Sequence, residues 1–167
     1  MRKIIRDRAV VEDTWLHLDD EQPVPERGDV TVSWQRWQKE AELLRNRDGG
    51  RIGVRINGDV PVDHLSDELC RLPLLVLEFP AFKDGRCYSH ARLLRCRHRY
   101  SGELRATGDV LRDQIGYMER VGINAFEVRQ DRDVDDAMRA FDEFSVDYQG
   151  MGPGAFPLAA RRAAAQG

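Results

Sequence analysis

From Gly50 onward the chain alternates short β-branched runs with amphipathic stretches, and no other feature restricts its fold as tightly. Residues 52–56, 74–79, 103–107 and 125–129 read as strands, and 62–72, 88–99, 109–121 and 134–144 read as helices. Strands joined by helical crossovers run parallel, so the repetition predicts a parallel α/β sheet. The 109–121 helix is the best specified, with Leu111, Ile115 and Met118 on one stripe, Asp109 at its start and Gly122 just past its end. Upstream, 30–32 forms a further short strand. Ser33 is placed to cap a helix reaching Arg47, on which Trp34, Trp37, Ala41 and Leu44 align as a core-facing stripe.

Alternation within the strands sorts their side chains into two faces. One face is apolar throughout: Ile52, Val54 and Ile56, then Leu75 and Leu77, Leu104 and Ala106, Phe126 and Val128. The other carries one charge on each strand, Arg55, Glu78, Arg105 and Glu127. A sheet covered by helices on both sides needs continuous apolar strands, and an unpaired ion under a helix layer loses several kcal/mol of solvation. The pattern therefore favours a curved sheet with helices outside and a polar concave face, a partial (βα) barrel resembling part of a TIM barrel. The alternative is a flavodoxin-like three-layer sandwich.

Two readings of the concave charges stay open. They form a neutralising network, or Arg55 and Arg105 hold an oxyanion while Glu78 or Glu127 acts as the catalytic proton carrier. Ligands of parallel α/β folds bind beyond the carboxyl ends of strands. That places Lys83, Asp84, Arg86, Tyr88 and Ser89, in the loop after the second strand, at the rim of such a site. Thr107 and Asp109 either cap the following helix or hold a small anion.

Composition bounds the rest. At 167 residues, 41% hydrophobic and 33% charged, with mean hydropathy −0.57, the chain suits one soluble domain. Residues 1–28 read as a β-rich decoration ending in an acidic, Pro-containing linker, 29–149 as the βα-repeat domain, and 150–167 as a flexible tail rich in Gly, Ala and Pro. A net charge of −3 argues against nucleic acid as partner. The average conceals a segregation: residues 83–105 carry seven basic against two acidic side chains, and 131–147 carry two against seven. Arg92, Arg95 and Arg99 form a basic helix stripe, a solvated face or a landing surface for an acidic redox partner.

Three cysteines form no disulfide framework, and no stretch is long and apolar enough to span a membrane, so a cytoplasmic location is expected. Cys87, His90, Cys96 and His98 spread too far around and along one helix to share an ion, so no metal is assigned. Ser89 and His90 adjoin without a nucleophile elbow. No glycine fingerprint or cluster-binding cysteine motif points to a cofactor, and none is expected. An open-edged half-barrel is expected to pair with a second copy as a two-fold dimer.

The run 79–129 resembles a bacterial family known as domain of unknown function nine-three-four. The resemblance is carried by Phe79-Pro80, Phe82, Asp84-Gly85-Arg86, Tyr88-Ser89, Ala91-Arg92-Leu93-Leu94-Arg95, Gly102 to Ala106, Gly108 to Gln114 and Gly122 to Phe126. It implies an accessory role in assimilatory sulfite reduction with a sulfite reductase component as partner, and an oxidoreductase label with no established catalytic residues. Cys87 stands where the pattern leads one to expect glycine; an exposed thiol there, near Arg86 and a helix start, would be unusually acidic. Two functions remain in play: a docking accessory of sulfite reduction, and a small anion-binding α/β enzyme using the concave Arg/Glu site.

Overall fold

Strands β5 (Ile52–Ile56), β6 (Leu74–Phe79), β7 (Glu103–Gly108) and β8 (Ala125–Phe126) lie side by side in sequence order and all parallel. The computed structural model describes residues 2–80 and 85–144. Next to β5 the sheet continues with β4 (Val30–Ser33) and β3 (Leu16–His17), both parallel. Next to β8 it continues with an antiparallel hairpin of β1 (Lys3–Arg6) and β2 (Ala9–Glu12). The result is one eight-stranded sheet in the order β2-β1-β8-β7-β6-β5-β4-β3, curled into a half-barrel.

Among the described residues, four helices, α1 (Trp34–Arg45), α2 (Arg86–Cys96), α3 (Arg112–Arg120) and α4 (Val134–Phe144), complete the fold. They pack on the apolar sheet face, because the main core joins Val54, Ile56, Leu75, Leu77, Leu104 and Phe126 to helix residues such as Trp37, Ala91, Leu94, Ile115 and Phe141. The concave side holds a separate small cluster of Trp15, Leu74 and Val76. These two clusters are the physical content of a half-barrel, with apolar area removed from water on one side and a polar face on the other.

The first 28 residues, read from sequence as a decoration, place three strands in the sheet. β2 and β3 lie at opposite sheet edges but are joined by three residues, Asp13 to Trp15, which span the concave side. This crossing could not be inferred from periodicity.

Other differences are local. The helix expected at 62–72 is replaced by two 3₁₀ turns, Val62–His64 and Leu69–Arg71, separated by extended Leu65. Pro73 disfavours helical geometry at Leu72, which is extended, and the Leu69 N–H donates to the Ser66 carbonyl at 3.1 Å, a 3₁₀ bond that the Ser66 hydroxyl supplements at 3.4 Å. Val62, Leu65 and Leu69 nonetheless bury, so their spacing served packing and not a helix.

α2 starts two residues earlier than expected and stops at Cys96, with Arg99 at φ 53°. α3 starts at Arg112 and not at Asp109, because the chain first turns at Gly108. There φ is +95°, and a Cβ would collide with the Phe79 carbonyl. The Ser33 cap holds, with Oγ accepting from Arg36 N at 3.1 Å.

β8 is confined to two residues, and Glu127 keeps one ladder bond, from its N–H to Ala106 O at 2.9 Å. Lys83 and Asp84, and the tail 150–167, lie outside the described residues. Among the described residues no helix is long and apolar enough to cross a membrane.

Candidate functional site: the concave charged face

Strand register places the four sequence-predicted charges on one surface. Arg55 and Arg105 flank Val76 on neighbouring strands, Glu78 sits one pleat further toward the carboxyl end of β6, and Glu127 follows β8. Their partners come mainly from the N-terminal segment. Arg105, 0% exposed, donates to Asp13 Oδ1 at 3.0 Å and to Glu103 Oε1 at 2.7 Å. Arg2 bridges Asp13 and Glu127, reaching Glu127 Oε1 at 2.9 Å.

His17 lies between Thr31 Oγ1 at 2.6 Å and Glu127 Oε2 at 3.0 Å. Arg55 donates to Thr31 Oγ1 at 3.0 Å, to the carbonyls of Thr31 and Leu18, and to Glu78 Oε1 at 3.2 Å. Arg6 approaches Glu103 from the outside at 3.6 Å. The chain of polar contacts therefore runs unbroken from Glu78 to Arg6.

Four carboxylates, Asp13, Glu78, Glu103 and Glu127, face four guanidinium groups, Arg2, Arg6, Arg55 and Arg105. The face is neutral when His17 is neutral. Burial works against the charged form of Asp13, but Arg105 and Arg2 outweigh it and hold this carboxyl below its ordinary 3.8. Burial likewise opposes charge on Glu127, and His17, Arg2 and Arg105 together hold it below 4.5. Both groups are anions throughout the neutral range, which suits counter-ions better than proton carriers.

Asp13, His17 and Glu127 bring ligand atoms within 4.8 Å of one another, a donor set of the kind that takes a divalent cation. Here the Arg2 guanidinium bonds both carboxylates and supplies the positive charge. No sequence signal could have found this trio, whose members are drawn from positions 13, 17 and 127.

The remaining rim residues are dispersed. Arg86, in the first turn of α2, pairs with Asp59, outside the concave network. Tyr88 stacks edge-on between Phe79 and Tyr117 at 5.1 and 5.0 Å, and burial followed by Tyr117 pushes its hydroxyl up. Ser89 is exposed on α2. Thr107 neighbours Glu78, whose side chain is 38% exposed. Asp109 does not cap α3; it accepts from Arg129 Nη1 at 2.9 Å. Cys87, 1% exposed, donates its thiol to Glu78 O at 3.1 Å, so it is not the exposed thiol considered from sequence.

The basic stripe on α2 also divides. Arg95 is 4% exposed and donates to the carbonyls of Gly122, Tyr100 and Gly102 and to Asn124 Oδ1, tying the end of α2 to the turn after α3. Gly122 permits this: φ is +108°, and a Cβ would overlap Arg95 Cγ. Arg92 and Arg99 are exposed, as is Arg120 on α3, and none of the three makes an ion pair among the described residues. Tyr117, 49% exposed, lies between the two helices against Tyr88.

A family model described as a bacterial protein of unknown function (DUF934) matches residues 40–158, well over half of the chain. No curated protein matches it.

Proposed function

The chain belongs to the DUF934 family of bacterial proteins of unknown function, and we propose that it serves assimilatory sulfite reduction as an accessory that docks on a reductase component. The sulfur assignment rests on the resemblance of the 79–129 run. The docking assignment rests on one observation: Arg92, Arg99 and Arg120 are exposed and without an ion pair among the described residues, and Tyr117 on α3 is half-exposed, whereas the concave charges are answered within the chain. Arg and Tyr dominate the energetics of protein interfaces, and uncompensated cations accelerate encounter with an acidic surface.

In this reading the protein works in the cytoplasm, carries no cofactor of its own, and has neither nucleic acid nor membrane as partner. A second copy would add at the sheet edges β2 and β3 to form a homodimer. A concave oxyanion site remains the alternative, favoured by the exposure of Glu78 at the carboxyl end of β6. It requires Arg55 to exchange its carboxylate for the ligand.

The test is association of the purified reductase component with wild type and with Arg92→Glu/Arg99→Glu/Arg120→Glu, by surface plasmon resonance at two salt concentrations. The expected result is salt-sensitive binding that weakens about tenfold or more in the variant, mainly through slower association. Absence of binding by wild type overturns the partner. Undiminished binding by the variant overturns the face.

A further inference from the structure

At the amino-terminal ends of β5 and β6, opposite the rim described above, a cleft of about 290 Å³ opens between the last turn of α1, the start of β5 and the 3₁₀ turn Leu69–Arg71. Its floor is apolar, with Trp37, Leu44 and Ile52 buried in the main core beneath it. Its wall is cationic: Arg45, Arg47, Arg51 and Arg71 face one carboxylate, Glu68. Two of the arginines are compensated, Arg45 by Glu68 and Arg51 by Asp29 at 2.6 Å.

Of the other two, Arg47 shares Asp29 with Arg51 only at long range and Arg71 has no carboxylate among the described residues. Arg47 donates from Nε and Nη2 to the carbonyl oxygens of Pro25 and Gly28, which are neutral acceptors, and its Nη1 is buried with no acceptor among the described residues. Arg71 is exposed and makes no ion pair or side-chain hydrogen bond among the described residues. Native proteins leave few buried donors unsatisfied, and the orphaned Nη1 marks Arg47 as a guanidinium whose hydrogen bonding the fold leaves incomplete at the cleft wall. Arg71, with Arg47 only partly neutralised through Asp29, focuses positive potential into the cleft above the apolar floor. The carboxyl end of α1 contributes only about half a negative charge against them.

We infer that this cleft binds a small organic anion, its carboxylate, sulfonate or phosphate group held between Arg47 and Arg71 and a flat apolar body lying on Trp37. The volume sits at the small end of ligand pockets, which selects a single-ring or similarly compact body. The planar fork of Arg71 suits bidentate capture of the oxyanion, while Arg47 supplies charge from the cleft wall. The site is separate from the outer face of α2 and α3, so its fate does not depend on the docking reading.

Benzenesulfonate serves as probe, with inorganic sulfate as the anion alone, each titrated calorimetrically into the purified chain. The Trp37 indole N–H resonance, identified by its loss in Trp37→Phe, locates the binding. Saturable benzenesulfonate binding that shifts this resonance is expected, about tenfold tighter than sulfate, about tenfold weaker in Arg71→Ala and partly restored in Arg71→Lys. Arg139→Ala, exposed on α4, leaves the affinity unchanged. No saturable binding, no shift at Trp37, or equal affinity in Arg71→Ala overturns the proposal. Arg71 is exposed, so its variants keep the fold and the calorimetric comparison stands even if Trp37→Phe does not fold.

Discussion

The concave face and the outer face of α2 and α3 are both built from arginines that look alike in the sequence, and they end in opposite electrostatic states. Inside the curl, each guanidinium meets a carboxylate, and Arg105 meets two while fully enclosed. Outside, Arg92, Arg99 and Arg120 meet water. Enclosure makes the difference: a buried guanidinium must find its carboxylate or carbonyl acceptors within the chain, whereas an exposed one keeps its hydration and stays available to a partner. Charge patterning by itself therefore marks where a function could lie, and burial decides whether the charge is already committed to the fold.

The sharpest way to break this comparison is to remove an enclosed charge. Arg105→Ala leaves Asp13 buried and Glu103 short of its partner, and a loss of about 3–5 kcal/mol in urea unfolding free energy is expected. A loss below about 1 kcal/mol would mean that the concave face admits water freely and that its network is no different from the outer surface.

A second test lies within one helix stripe. Arg95→Ala strips four acceptors of their charged donor and is expected to lose about 2–3 kcal/mol. Arg92→Ala, three residues away and exposed, should stay within about 0.5 kcal/mol. Equal effects would erase the distinction between a clamp and a landing surface.

The concave face also predicts a direction with pH. Asp13 and Glu127 have folded-state values held below their ordinary 3.8 and 4.5, so the unfolded chain binds their protons more readily. Their contribution is complete above the ordinary values and is lost as pH falls through the depressed ones. Thermal melts should show an acid-side decline that flattens in Asp13→Asn and Glu127→Gln compared with wild type. An unchanged acid limb in both variants would place the acid sensitivity elsewhere. The smallest expected effect belongs to the outer face: Arg92→Glu/Arg99→Glu/Arg120→Glu should melt within a few degrees of wild type while losing partner association.

Much of the fold was legible because strand alternation has a strict period of two. Ile52, Val54 and Ile56 had to share a face, and Arg55 had to point the other way. The order β5-β6-β7-β8 follows from the same pattern together with the short crossovers. The 62–72 segment misled because Val62, Leu65 and Leu69 are spaced like a helix face yet bury from two 3₁₀ turns ahead of Pro73.

Of the candidate site, Arg55, Glu78, Arg105 and Glu127 were legible as a surface, but their partners were not. Asp13 lies 92 residues from Arg105, and His17 lies 110 from Glu127. No local pattern encodes a pairing across such a separation. The loop residues Arg86, Tyr88, Ser89 and Asp109 were placed at the rim by proximity in sequence, and the structure gives the first, second and fourth local partners of their own.

By itself the sequence determined the parallel βα body, the division of each strand into an apolar and a charged side, the Ser33 cap and the turn at Gly122, all set within a few residues by backbone geometry and side-chain periodicity. Only the tertiary structure decided that the N-terminal segment crosses the concave side, that Asp13, His17 and Arg2 answer the strand charges there, and that Arg95 is buried while Arg92 is not. Those outcomes depend on which distant segments the curled sheet brings within hydrogen-bonding reach. Desolvation, which distinguishes a structural ion from an available one, acts on the folded surface and not on the order of residues.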